Sequence, residues 1–449
     1  MTVVAYIIGV VVIALGIGVS IGLHEIGHLV PAKKFGVKVT QYMVGFGPTI
    51  WSRHRGETEY GIKAVPLGGY IRMIGMFPPK PGTDPSMLRA SSTGRFSQLM
   101  DQAREQSMEE VGPDDRHRVF YELSVPKKVV VMMGGPVMNF LIASVLLTGI
   151  YTLYGLQTVT PLVSNVATCT PSTAPTVAVP QPSCVAGDPN SPAATAGLRA
   201  QDRILSVNGQ SVSTWDQVTS VIRSSPGTTM TMVVSRAGHD VTLRAPIVAL
   251  DRASYADTNK VKVDANGALV TDRIGYLGAT PTIENIKGSV TSAPAFVGQT
   301  FWQTAKVVVS VPQKMVGIWQ AAFGSGERDV NGPISVVGVG RIGGEVAAAD
   351  LGPDGNMAKI MTLISIIASL NMALFVFNLI PLLPLDGGHV AGALWEGLKR
   401  RGAKVLGKAD PGHVDVAKAL PIAYTMAIVL ITMSALLIYA DIVKPISVI

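Results

Sequence analysis

The sequence predicts a polytopic α-helical membrane protein, with four transmembrane helices and a compact α+β domain in one of its loops. Three observations predict this. Of the 449 residues, 48% are hydrophobic and only 15% charged, against about 25% charged in soluble domains. Four uncharged apolar runs, residues 3–23, 129–154, 361–385 and 419–440, each reach the roughly 20 residues a spanning helix needs. Lys and Arg gather in two of the loops between those runs, as cytoplasmic segments require. The apolar content excludes global disorder. The formal charge of +7 is accounted for by those loops, so no nucleic-acid partner is expected.

In chain order, residues 1–30 form the first transmembrane helix. Nothing basic precedes its apolar run and no small-x-small site ends it, so a retained helix is expected in place of a cleaved signal peptide. Residues 31–78 alternate in hydropathy and are rich in Gly and aromatics (YMVGFGPTIW, TEYGIKAVPLGGYIRM), which predicts short strands pressed against the cytoplasmic side of the membrane. Residues 79–127 begin as a polar, mixed-charge insert. The second helix occupies 128–156. Residues 157–282 hold a Pro/Ser/Thr linker at 170–183 and then a compact domain. That domain has an Asn208-Gly209 turn after a strand, a helix at 214–223 and two strands within 228–246. Residues 283–358 carry Phe301, Trp302, Val307, Val308, Val309 and Trp319 among polar residues, which predicts amphipathic helices on the outer membrane surface over 283–323. The third helix lies in 359–390, a basic cytoplasmic loop in 391–418, and the fourth helix in 419–449.

The loop after the first run carries Lys33, Lys34, Lys38, Arg53, Arg55, Lys63, Lys127 and Lys128; that between the third and fourth carries Lys399, Arg400, Arg401, Lys404 and Lys408. Both are therefore placed in the cytoplasm, with both termini and 157–357 outside. Cys169 and Cys184, the two cysteines of the chain, fall in the outer stretch. A disulfide is chemically permitted there, with two free thiols as the alternative.

The chemistry begins at the inner end of the first helix with His24-Glu25-Ile26-Gly27-His28. Residues four apart share a helix face, so both imidazoles reach one metal ion, and Glu25 stands beside them as a base for water. The plainer reading is a polar helix end at the interface, but ionisable groups in a spanning segment are costly and usually functional. Zinc with an open position needs a third protein ligand. Of the remaining histidines, His239 is on the wrong side. Asp386 is the better candidate: it closes the third run in NLIPLLPLDGGH (378–389) and returns to the inner face at the depth of His24 and His28. Pro381, Pro384, Gly387 and Gly388 would equally suit a simple helix stop.

HEIGH in a first helix, NLIPLLPLDGG in a later one and GGPVMNF in the second together resemble the site-2 protease family of intramembrane zinc metalloproteases, most closely its bacterial regulator-of-sigma branch. RVFYELSVPKKVVVMMGGPVMNFLIA (118–143), VNGPISVVGVGRI (330–342) and AGLRAQDRILSVNG, which resembles a PDZ domain, extend the likeness over most of the chain. The resemblance implies Zn2+ held by His24, His28 and Asp386, with Glu25 as general base. It implies substrate-binding roles for Asn378, Asn139 and Gly135, a membrane re-entrant β-hairpin over 42–73, and an extracytoplasmic α+β PDZ-like domain whose peptide groove involves Gly275, Tyr276 and Leu277. The activity implied is cleavage within the membrane segments of single-pass proteins such as anti-sigma factors, after an outer cut by a site-1 protease, in the inner or plasma membrane. His389 is a possible helper. A non-catalytic scaffold with a structural metal is the rival class. It would need a fourth protein ligand.

Overall fold

The computed structural model describes residues 2–78, 107, 111–257, 260–324, 326, 328–329, 332–352 and 355–446. Most of the polar insert lies outside them. The chain divides into two compact units, one built from 1–153 and 289–449 and the other from 154–288.

The first unit opens with α1 (Thr2–Lys34), whose 33 residues rise about 50 Å at 1.5 Å each. It therefore continues beyond its apolar run and carries HEIGH within regular helix. β1 (Val39–Arg55) and β2 (Thr58–Met73) follow. Expected as several short strands, they are two long ones that bend, because Gly45, Gly47 and Gly68 adopt positive φ (96°, 82° and 119°). The bends fold the hairpin onto itself: Gln41 pairs with both Glu59 and Arg72, and Val44 with both Ile62 and Gly69. Residues 41–44 are thus central, and 69–73 pair on one side only among the described residues. α2 (Val125–Gly149) completes this half.

The second unit runs from β3 (Leu156–Val166) through a one-turn α3 (Pro192–Thr195), β4 (Arg203–Val207), β5 (Gln210–Ser211), α4 (Trp215–Arg223), β6 (Thr229–Arg236), β7 (His239–Pro246), β8 (Val248–Ala253), β9 (Tyr255–Asp257), β10 (Lys260–Val261) and β11 (Thr271–Tyr276) to β12 (Ala279–Ile286). The main sheet has the order β12-β3-β4-β6-β7, with β5 on β4; β8 pairs with β11. As the sequence predicts, Asn208 and Gly209 make the two-residue β4–β5 turn, both with positive φ. Thr214 and Gln217 form a capping box at α4. Ile204, Val207, Val218, Ile222, Met230, Met232 and Val234 fill the core. Asp202 is fully buried. Burial pushes its carboxyl up, but the Arg236 guanidinium at 2.6 Å and the Arg199 amide outweigh that and hold it below the usual range. Cys169 and Cys184 are joined by a disulfide, with Cα atoms 5.9 Å apart.

Returning to the first unit, α5 (Ala293–Phe323), α6 (Val336–Ala348), α7 (Gly355–Asn378), α8 (Asp386–Val405) and α9 (Leu420–Val443) complete the chain. Three expectations are corrected here. Residues 283–286 finish β12, and the amphipathic segment is a single helix, α5, anchored at both ends: Val297 packs with Ala368 and Met372, and Ile318 with Leu437 and Ala440. The third helix stops at Asn378, because the prolines of 379–385 cannot continue it, so Asp386 opens a new helix and does not end the old one. Most of the basic loop 391–418 is α8, whose apolar and basic residues alternate at helical period. Small residues let the helices touch: a Cβ on Gly9 would lie 2.2 Å from the Gly343 carbonyl oxygen of α6, and one on Gly27 equally close to that of Gly134 on α2. Four helices among the described residues, α1, α2, α7 and α9, are long and apolar enough to cross a membrane.

Candidate metal centre

α1, α2 and the start of α8 converge on one trio of ligand atoms. His24 Nε2 and His28 Nε2 are 3.2 Å apart, and each lies 3.4 Å from Asp386 Oδ2. Ligands about 2.05 Å from a tetrahedral zinc stand about 3.3 Å from one another, so the trio fits that ion with a fourth position left open. Topology alone suggested this meeting. The sharp return from α7 makes it, and the LDGG glycines permit it: Cβ atoms on Gly387 and Gly388 would fall 2.3 Å from the Ile380 oxygen and 2.5 Å from the Leu383 nitrogen.

Both imidazoles are fixed from behind. His28 Nδ1 donates to the Val131 carbonyl at 2.8 Å, which leaves its Nε2 lone pair for a metal. His24 Nδ1 lies 3.1 Å from Asn139 Nδ2, while Asn139 Oδ1, fully buried, has no partner. Turning that amide over lets His24 Nδ1 donate to Oδ1, which satisfies the orphan and frees His24 Nε2 as a ligand. The donor set and both tautomers thus suit a resident cation. Asn139 and Gly135, expected to bind substrate, face the imidazoles. A Cβ at Gly135 would stand 2.2 Å from His28 Nε2 and 2.7 Å from His24 Nε2. The G-x-x-x-N signature therefore meets His24 and His28 where α2 crosses α1, a contact that depends on the helix crossing and is invisible in the sequence.

Glu25 contributes no atom to the trio. It is buried, and β2 backs onto it so closely that a Cβ on Gly69 would be 3.0 Å from Glu25 Cγ. The strand 69–73 thus runs beside Glu25. Asn378 ends α7 half-buried, with no hydrogen-bond partner for its side chain among the described residues. His389, one turn beyond Asp386, gives no fourth ligand; it lines a small cavity with Lys128 and Glu396. Sequence reasoning missed that ion pair, 2.9 Å long and buried, which ties α2 to α8. It also missed Asn371, which donates to Ser20 Oγ at 2.8 Å and ties α7 to α1. For Ser20 and Asn371, a lone polar residue inside an apolar run was the available signal. In the second unit, Gly275, Tyr276 and Leu277 line a cavity of about 670 Å³ with Trp215, Arg223 and Arg252.

Residues 12–409 match the family model described as Peptidase family M50. The chain belongs to this family. It is similar to the zinc metalloprotease Rip1 of Mycobacterium bovis, 33% identical over 98% of each chain. The enzymes of that name from Mycobacterium tuberculosis and Mycolicibacterium smegmatis are each 32% identical, again over 98% of each chain. The activity is that of a zinc metalloendopeptidase in a membrane, and zinc is the ion that the trio suits. A closed structural site would require a fourth protein ligand, and none joins the trio among the described residues.

Proposed function

We propose that the chain cleaves a peptide bond within the transmembrane segment of single-pass proteins, anti-sigma factors among them, after a site-1 protease has cut outside. The observation that carries this reading is the place of the ligands. His24 and His28 lie on a helix apolar enough to span the bilayer, and Asp386 opens the helix just after another.

A transmembrane substrate hides its scissile carbonyl within helical hydrogen bonds, so it must first unwind. The one-sided strand 69–73 can offer replacement backbone bonds by β-addition, and the unpartnered amide of Asn378 can hold others from the opposite side. Zinc, when bound, supplies Lewis acidity at the scissile carbonyl and lowers the pKa of a water. Glu25 accepts the proton of the attacking water and returns it to the leaving amine. Asn139 and the Val131 carbonyl keep the imidazoles turned toward the ion throughout. By the charge distribution, the site opens near the cytoplasmic face, the termini lie outside, and the second unit is an extracytoplasmic PDZ-like domain whose cavity at Gly275–Leu277 receives or filters the trimmed substrate.

The test is reconstitution of the zinc-loaded enzyme with a panel of single-pass proteins and mapping of the cuts by mass spectrometry. Cuts inside the membrane segment are expected. Cuts confined to residues outside it would overturn the reading.

A further inference from the structure

The helix opened by Asp386 has an outer face that the described residues leave uncovered. Ala393 and Glu396 are buried against the rest of the unit. On the opposite side, Leu394, Trp395, Leu398, Val405 and Leu406 are each more than half exposed, and at 100° per residue they form one stripe. Exposed Arg401 borders that stripe on one edge and exposed Lys399 on the other, with Lys404 one turn beyond Arg401. The only carboxylates of this helix, Asp386 and Glu396, turn inward to the histidines and to Lys128. Lys399 Nζ stands 5.5 Å from the centre of the Trp395 ring, a cation over an amphipathic aromatic. Beside Trp395 opens a cavity of about 390 Å³ lined by Pro381, Leu382, Leu383 and Ile422. The helix is not among those apolar enough to span a membrane.

An apolar stripe edged by long basic side chains suits the plane of a bilayer interface, where the stems lie along hydrocarbon and the charged heads reach phosphate. We infer that α8 is a membrane-surface helix that docks on anionic lipid, and that this docking holds Asp386 in register with His24 and His28. The inference rests on the peptidase reading for its effect on cleavage, though not for the docking itself. The coupling is mechanical. Asp386 is the first residue of the helix, so any tilt of its outer face moves the ligand, while Lys128–Glu396 fixes only the inner face. Anionic headgroups attract each lysine or arginine near the surface, and the attraction fades with salt. The cavity at Trp395 has the apolar lining to take an acyl chain.

The test uses full-length, zinc-loaded enzyme in vesicles of phosphatidylcholine alone or with about one-third phosphatidylglycerol. Three readouts are taken: the depth of a nitroxide on Leu398→Cys, the half-time of zinc release to a chelator, and cleavage of a single-pass substrate. The expected result has three parts. The nitroxide is more accessible to oxygen than to a water-soluble nickel reagent. Phosphatidylglycerol slows zinc release and speeds cleavage several-fold, and high salt removes the difference. A Lys399→Gln/Arg401→Gln/Lys404→Gln variant behaves in both vesicles as the wild type does in phosphatidylcholine. A water-exposed nitroxide in both vesicles would overturn docking and leave the face to a protein partner. Zinc release and cleavage indifferent to phosphatidylglycerol would overturn the coupling. If no vesicle supports cleavage while depth and zinc release respond as expected, the peptidase reading fails and the lipid site stands.

Discussion

Asp386 and Gly135 are expected to bear on the metal in opposite ways, one by supplying an oxygen and the other by supplying nothing. Asp386→Ala leaves two imidazoles for the ion, so zinc occupancy of the folded protein is expected to fall together with activity; full occupancy by elemental analysis would contradict the ligand assignment. Gly135→Ala places a carbon 2.2 Å from His28 Nε2, which no imidazole tolerates without moving. Zinc binding is expected to weaken by at least about tenfold, the range for disturbed ligand support, and chelator competition on the folded variant reads it directly. The meeting of His24, His28 and Asp386 was legible in the sequence because the spacing of HEIGH and the depth of LDGG are local facts. The work of Gly135 and Asn139 was not. It exists only where α2 crosses α1 at backbone contact, and nothing in GGPVMNF states which helix it will meet.

Elements show the same division. The apolar runs named the spanning helices, and the Asn-Gly turn and capping box placed parts of the second unit residue by residue. The basic loop misled, because its lysines and arginines announce a side of the membrane while its leucines and Trp395 announce a helix, and charge was weighed first. The strands misled too, since the bends at Gly45, Gly47 and Gly68 turn two long strands into a doubled sheet that alternation alone cannot reveal. What holds α8 to α2 is the Lys128–Glu396 pair, buried on both sides. Lys128→Met removes the closest partner of the Glu396 carboxylate, which keeps Arg400 at 3.3 Å and the Val414 amide at 3.1 Å, so a loss of about 1–3 kcal/mol is expected, whereas Lys128→Met with Glu396→Leu removes both charges and recovers most of it. Thermal unfolding of the three proteins in one detergent checks this. A double variant as unstable as the single would mean that the pair is not what matters.

At the scale of the whole molecule, the charge distribution predicts an extracytoplasmic place for residues 157–357. The second unit carries both cysteines, 5.9 Å apart at Cα, and a loop of about 15 residues closed in this way stabilises by about 3 kcal/mol in the chain-entropy model. Alkylation without reductant, on protein isolated from its native membrane, is expected to label no thiol; two labelled thiols per chain would contradict both the bond and the placement of that unit on the oxidising side. The central claim is that a trio of side chains holds zinc while a fourth, Glu25, moves the proton. Glu25→Gln separates those two jobs, since the side chain is outside the ligand trio. The decisive measurement is zinc content and cleavage of a single-pass substrate by this variant in vesicles, beside the wild type. One zinc per chain is expected in both, with a fall in turnover of about 10²–10⁴-fold or more in the variant; retained cleavage with zinc still bound would contradict the role of Glu25.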